Sequence, residues 1–374
     1  MIVFCVRSCD HPPRTACAVE GVSGEGQMKR SVSAALAGAV LSCLSLAPHA
    51  AASQEVSLRL HTFLPPVANP VKHFMVPWSK KVEKDSAGRI QIRVFPAMQL
   101  GGKPTQLLQQ VRDGVADIVW ALPGFTPGVM PKLEVFELPF LHRDTHSTVM
   151  ALQDYVDKHM KKEFAPYRVL LVHAHAGALF MSKTPIVKVS DFQGMKLRSY
   201  SRTNAWILEA LGASPVQVPL PSLPPMMSKG TVNGSILPYE IAPAVKMQDL
   251  ATHFTTLAPP QPRLSVSIFT LLMNKAKYES LPADLKKVID ANSGRNLAPT
   301  AIEIWDRIEV DGEKVVRAKK KNRFTSLSAA ETAKFREKVQ PVFKRFEKLL
   351  DDSGADGAAV IADARAMIEK YAKK

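Results

Sequence analysis

The stretches Val56-Ser57-Leu58-Arg59-Leu60, Ile90-Gln91-Ile92-Arg93-Val94 and Asp117-Ile118-Val119-Trp120-Ala121 decide the fold. The first two alternate apolar and polar residues, the period of a half-buried strand. The third is a short apolar run of the kind a fully buried strand presents. Between them lie helical spacings: Val71, Phe74, Met75, Trp78 and Val82 over 70–86, stopped by Gly88, then Leu107, Leu108 and Val111, stopped by Gly114. Strands alternating with helices imply a β-α-β-α-β unit, a parallel sheet and right-handed crossovers.

Downstream, 122–141 reads as a structured loop rich in Pro, Gly and aromatics, 144–163 as a helix and 168–175 as a strand. A second βα set follows, with strands at 195–199, 216–218 and 232–237 and helices at 203–211, 222–229 and 239–250. Residues 264–274 form a long apolar strand, and helices at 282–292, 297–322, 328–352 and 357–372 complete the chain. The order predicts an α/β fold of two lobes with mixed or parallel sheets, a hinge cleft between the lobes and a helical C-terminal segment. Residues 53–175 and 264–300 are assigned to lobe I, and 176–263 and 301–374 to lobe II. Such folds place ligands in the cleft.

Composition narrows the class. Of 374 residues, 46% are hydrophobic and 22% charged, which is ordinary for a folded globular protein and excludes a disordered chain. No stretch after residue 50 offers about 18 consecutive apolar residues, so no internal transmembrane helix is expected. The four cysteines are Cys5, Cys9, Cys17 and Cys43. They fall in or before a pattern in which Met28-Lys29-Arg30 precedes an apolar run from Ser31 to Leu46 and an Ala50-x-Ala52 cleavage motif. This reads as a secretory signal over 28–52, with 1–27 upstream of the true start and the mature protein exported to the periplasm. A chain beginning near Ser53 has no cysteine, which removes disulfides, thiolate nucleophiles and cysteine-ligated metals from consideration. The formal charge of +15 includes the run Lys319-Lys320-Lys321, read as a solvated helix face because no aromatic residues interleave with it; no nucleic-acid partner is expected.

Several motifs have the residue types that chemistry requires. His142-Arg143-Asp144-Thr145-His146 spaces two histidines by one helical turn, but Arg143 stands where a zinc protease needs Glu. His173-Ala174-His175 puts two histidines on one strand face without a nearby carboxylate, so His175 reads as a strand-end ligand contact rather than a metal ligand. Gly101-Gly102-Lys103-Pro104 lacks the first glycine and the Ser/Thr of a phosphate loop, and no Ser-His-Asp elbow exists. Arg198 ends the short strand Met195-Lys196-Leu197-Arg198 before the polar loop Ser199-Tyr200-Ser201. A planar guanidinium there suits bidentate carboxylate binding. Read alone, the position favours a surface arginine over a ligand contact.

Five segments resolve this. Phe95-Pro96-Ala97-Met98-Gln99-Leu100-Gly101, Val111-Arg112-Asp113-Gly114-Val115-Ala116-Asp117, Glu137-Leu138-Pro139-Phe140, Asp191-Phe192-Gln193-Gly194-Met195-Lys196-Leu197-Arg198 and Leu211-Gly212-Ala213-Ser214-Pro215 occur in order over about residues 56–350. Together they resemble the substrate-binding proteins of tripartite ATP-independent periplasmic (TRAP) transporters, DctP type. The resemblance implies a two-lobed receptor that closes on a small organic acid and delivers it to membrane permease subunits, with no chemistry and no cofactor. It places the family's carboxylate-binding arginine on Arg198.

The sialic-acid pattern is not met: the second ligand arginine falls near Ala178, and Val-Asp-Gly reads Val232-Asn233-Gly234. The lining implied by Phe63, Trp120, Phe180 and Tyr239, with His175, is aromatic. The expected ligand is therefore a monocarboxylate with an apolar or aromatic body, bound by a monomer. The alternatives are a secreted enzyme, or a receptor of an ATP-driven importer or a sensor, on a similar bilobal fold.

Overall fold

The computed structural model describes residues 55–372; the expected signal segment at 28–52 and the stretch before it lie outside the described residues. Strand β1 (Val56–Thr62), helix α1 (Val76–Asp85), β2 (Ile90–Phe95), α2 (Leu107–Arg112) and β3 (Ile118–Ala121) follow the expected βαβαβ order. Next come α3 (Thr145–His159), β4 (Tyr167–Ala174) and β5 (Leu179–Ser182), then β6 (Lys196–Ser199), α4 (Arg202–Ala210), β7 (Ser214–Gln217), α5 (Leu223–Ser228), β8 (Gly234–Leu237), α6 (Met247–Leu250) and β9 (His253–Thr256). The chain ends with β10 (Ile268–Asn274), α7 (Lys275–Glu279), α8 (Ala283–Ala291), α9 (Gly294–Arg317), β11 (Arg323–Ser326), α10 (Ala329–Asp351) and α11 (Gly357–Tyr371).

Two sheets result, ordered β2-β1-β3-β10-β4 and β11-β9-β5-β8-β6-β7. In the first, β1 runs parallel to β2 and β3, whereas β10 is antiparallel to both β3 and β4. In the second, β6 is parallel to β7 and β8, and β5 antiparallel to β8 and β9. Each sheet is thus mixed, and the chain passes between them after β4, after β9 and again before β11. The carboxyl ends of the parallel strands β1, β3, β6 and β8 carry the loops that meet between the sheets, the place where open α/β sheets bind ligands.

The structure departs from the sequence reading in four places. The helix expected over 239–250 shrinks to α6, because Lys246 takes a left-handed conformation (φ 56°) and Pro243 removes a donor. The helix expected over 297–322 ends at Arg317, and β11 follows. Strands β5 and β9 were not foreseen. The segment 301–374, expected in lobe II, is also divided between the lobes: α9 packs on α3 and β4, α11 on α3, while α10 packs on α4 and β11 pairs with β9. The apolar stripe of α9 (Leu297, Ala301, Trp305, Ile308) explains its place, since each side chain is buried against the first layer.

Candidate functional site

The loop after β1 is fixed from below. Ala97 and Met98 adopt left-handed backbone angles (φ 51° and 59°), rare for residues with a Cβ, and their amides donate to Leu64 O (2.7 Å) and Thr62 O (3.1 Å). This clamp holds Phe63 at the carboxyl end of β1. Across the cleft, Ser201 caps α4 by accepting from the Asn204 amide (3.1 Å), which fixes the turn directly after Arg198. Helix α9 fixes a third segment: Glu309 Oε2 accepts from the Glu240 amide (2.9 Å), and Gly312 lies so close to the Tyr239 carbonyl that any Cβ there would collide with it.

These segments enclose a tight cavity of ≈ 30 Å³ lined by Phe63, Trp120, Phe125, Arg198, Glu240 and Phe269, among others. Its walls are aromatic. Trp120 stacks on Phe269 with ring centroids 4.3 Å apart, and Phe63 lies against Trp120 and Phe125. Contacts bridge the two layers around it: Asn69 Nδ2 donates to Glu240 O (2.9 Å), Tyr200 Oη donates to Val266 O (2.9 Å), and Arg202 forms a two-pronged ion pair with the buried Glu134 (2.8 and 3.0 Å). A larger groove of ≈ 560 Å³ lies elsewhere, at Phe140, Arg336 and Phe343, but it is walled by surface side chains, and its Arg143 is already paired with Glu369.

The polar atoms of the small cavity are mostly engaged. Trp120 Nε1 donates to His173 Nε2 (3.0 Å). The amides of Gly177 and Ser267 abut the two ring nitrogens of His175 at 3.0 and 2.9 Å. Burial, with His142 and Arg263 nearby, holds the His175 pKa well below its ordinary value, so the ring is neutral. Arg198 is 1% exposed, and its Nε donates to Val218 O (2.9 Å). Among the described residues no carboxylate pairs with it, and burial pushes its pKa down to about 9. A buried guanidinium without a counter-charge is costly, and an incoming carboxylate relieves that cost with a charge-assisted fork of hydrogen bonds. Glu240 is 2% exposed and its Oε2 has no hydrogen-bond partner; burial and the charge of Glu309 raise its pKa well above the usual carboxyl range.

Of the side chains expected to line a site, the structure brings Phe63, Trp120, Arg198 and His175 together. Phe180 and Tyr239 lie elsewhere. Phe180 packs on Phe192 and Phe335, where α10 covers the second sheet. Tyr239 stacks toward Phe254 and under the Arg263 guanidinium (5.1 Å). Glu240, Tyr200 and Phe269 were missed. Glu240, not Tyr239, lines the cavity, and nothing in the sequence marks which of the two neighbours does so. Among the described residues, no group of three or more His, Cys, Asp or Glu side chains is arranged to hold a metal ion.

Glu137 is fully buried, with Oε1 near the Ile268 amide (3.5 Å) and Oε2 unpartnered. Burial first, then the neighbouring Glu134 charge, raises its pKa to about 8, against roughly 4.3 in an unfolded chain. Between those values the unfolded state releases a proton that the folded state retains, so folding stability falls as pH rises. Glu137→Gln removes this titration. The variant should gain stability relative to the parent on going from pH 5 to pH 8, by on the order of 1–3 kcal/mol, read from urea unfolding at both values. An unchanged difference between the two proteins would show that Glu137 is ionised throughout.

Residues 63–349 match the family model of bacterial extracellular solute-binding proteins, family 7 (DctP). Among solved structures, the chain is 42% identical to a TRAP solute-binding protein from a marine metagenome, described as specific for aromatic acid ligands and solved with metahydroxyphenylacetate (TM-score 0.83, covering 85% of this chain and 100% of that one). It is 37% identical to one from Rhodoferax ferrireducens T118 in complex with copurified benzoate (TM-score 0.82, 84% and 98% covered). It is 26% identical to one from Bordetella bronchiseptica with bound mandelate (TM-score 0.75, 84% and 99% covered).

Proposed function

The chain belongs to family 7 of the bacterial extracellular solute-binding proteins, the DctP family, and from that premise we propose that the acid it captures is a monocarboxylate with an aromatic body. It is a TRAP solute-binding protein, a receptor for small organic acids that works with membrane permease subunits. The observation that carries the ligand reading is the buried, unpaired Arg198 guanidinium set in a cavity walled by Phe63, Trp120 and Phe269. The guanidinium takes the carboxylate, and the rings take an apolar planar body by stacking and desolvation. The aromatic acids held by similar receptors support the same reading. A ligand touching both lobes favours their closed arrangement, so capture needs no chemistry, and no catalytic role is assigned to any residue.

Calorimetric titration with benzoate against succinate tests the reading. Saturable one-to-one binding of benzoate, much tighter than that of succinate, is expected; a preference for the dicarboxylate would overturn it. The proposal extends to export through residues 28–52 and action as a monomer in the periplasm, checked by N-terminal sequencing of the secreted protein, which should begin near Ser53, and by light scattering.

A further inference from the structure

After every hydrogen bond in the cavity is assigned, two polar ends stay open. One is the pair of terminal nitrogens of Arg198. The other is the carboxyl group of Glu240, 2% exposed, lining the same cavity, with Oε2 buried and unpartnered. The remaining candidates are engaged: Trp120 with His173, His175 with the Gly177 and Ser267 amides, and Tyr200 with Val266. A buried polar group left without a partner is unfavourable, and a site that keeps one is built for a ligand that supplies it.

We propose that Glu240 is a specificity-determining residue that selects aromatic acids bearing a ring hydroxyl and discriminates against unsubstituted ones. This rests on the reading of Arg198 as the carboxylate anchor. Burial beside Glu309 raises the Glu240 pKa well above the usual carboxyl range and so favours its neutral form, while the Glu309 oxygens themselves serve the Glu240 amide and Arg263. A neutral carboxyl group is both donor and acceptor, as is a hydroxyl, so the two match in either sense. The segment is rigid enough to discriminate: Glu240 is tied through its amide to Glu309, through its carbonyl to Asn69, and its neighbour Tyr239 abuts Gly312.

The test compares benzoate, 3-hydroxybenzoate and 4-hydroxybenzoate by calorimetry on the full-length mature protein, Glu240→Leu and Glu240→Gln. The parent should bind at least one hydroxybenzoate tenfold to a hundredfold more tightly than benzoate. In Glu240→Leu that ratio should fall to within about twofold, and benzoate itself should bind a few fold more tightly because the unpartnered group is gone. Glu240→Gln keeps a donor and an acceptor in place and should restore the preference. A hydroxyl preference that survives in Glu240→Leu, or no such preference in the parent, overturns the proposal while leaving the aromatic-acid reading standing. If the parent binds none of the three acids, the aromatic-acid reading itself fails and the proposal falls with it.

Discussion

Replacing Arg198 by alanine is expected to weaken binding of an aromatic monocarboxylate about 30-fold to several thousand-fold. Truncating one partner of a buried charge pair costs roughly 2–5 kcal/mol, because the other charge is left desolvated and unpaired. Arg198→Lys should recover only part of the loss: an ammonium presents a point charge, and the Nε contact to Val218 O is lost with the fork. The ligand-free stability should move the other way. The guanidinium is buried without a carboxylate partner among the described residues, so its removal relieves a desolvation cost, and the unliganded variant should melt no lower than the parent. Calorimetry and thermal unfolding on one preparation read both effects. Affinity within about threefold of the parent would mean that the carboxylate is held elsewhere.

Trp120→Ala is expected to produce the largest loss of stability, about 3–5 kcal/mol, which in a chain of this size lowers the melting temperature by on the order of 10 °C. The indole is 1% exposed in β3, stacked on Phe269, and its N–H is the partner of a buried His173 whose pKa burial holds down to about 3. Alanine leaves a void, unsupports Phe269 and strips His173 of its donor. Trp120→Phe keeps most of the volume and should lose clearly less stability. Equal losses in the two variants would show that the missing hydrogen bond outweighs the cavity.

The first sheet was legible because β1 and β2 are long enough to show alternation and β3 is a continuous apolar run flanked by glycine stops. Arg198 could be singled out only through the family resemblance, because a lone arginine closing a short strand is by itself as readily a surface residue. What could not be read were features with too few residues to carry a period. Strands β5, β9 and β11 have four residues each, and β11 lies between two strongly periodic helices that absorbed it. The misplaced aromatics fail by parity. On β5, Phe180 faces the α10 side of its sheet, and one residue of offset would have turned it into the cleft. Tyr239 lies in the turn after β8 and packs toward Arg263, and its neighbour Glu240 lines the cavity instead. The sense of a single residue is set by tertiary contacts with α9, over 60 positions away in the chain, and local sequence does not encode it.

Strand β10 lies between β3 and β4, antiparallel to both, although it follows β4 by almost a hundred positions. Any nascent fragment ending before Ile268 therefore holds the first sheet as two unjoined pieces, β2-β1-β3 and a lone β4, each with a bare edge. The second sheet, whose strands β5 to β9 come earlier, has most of its members before the first has its keystone. Order of synthesis and order of assembly thereby interleave: the sheet begun first lacks its joining strand until five of the six strands of the second have been made. Its closure waits for a long-range pairing whose chain-entropy cost is met only when the later segment arrives.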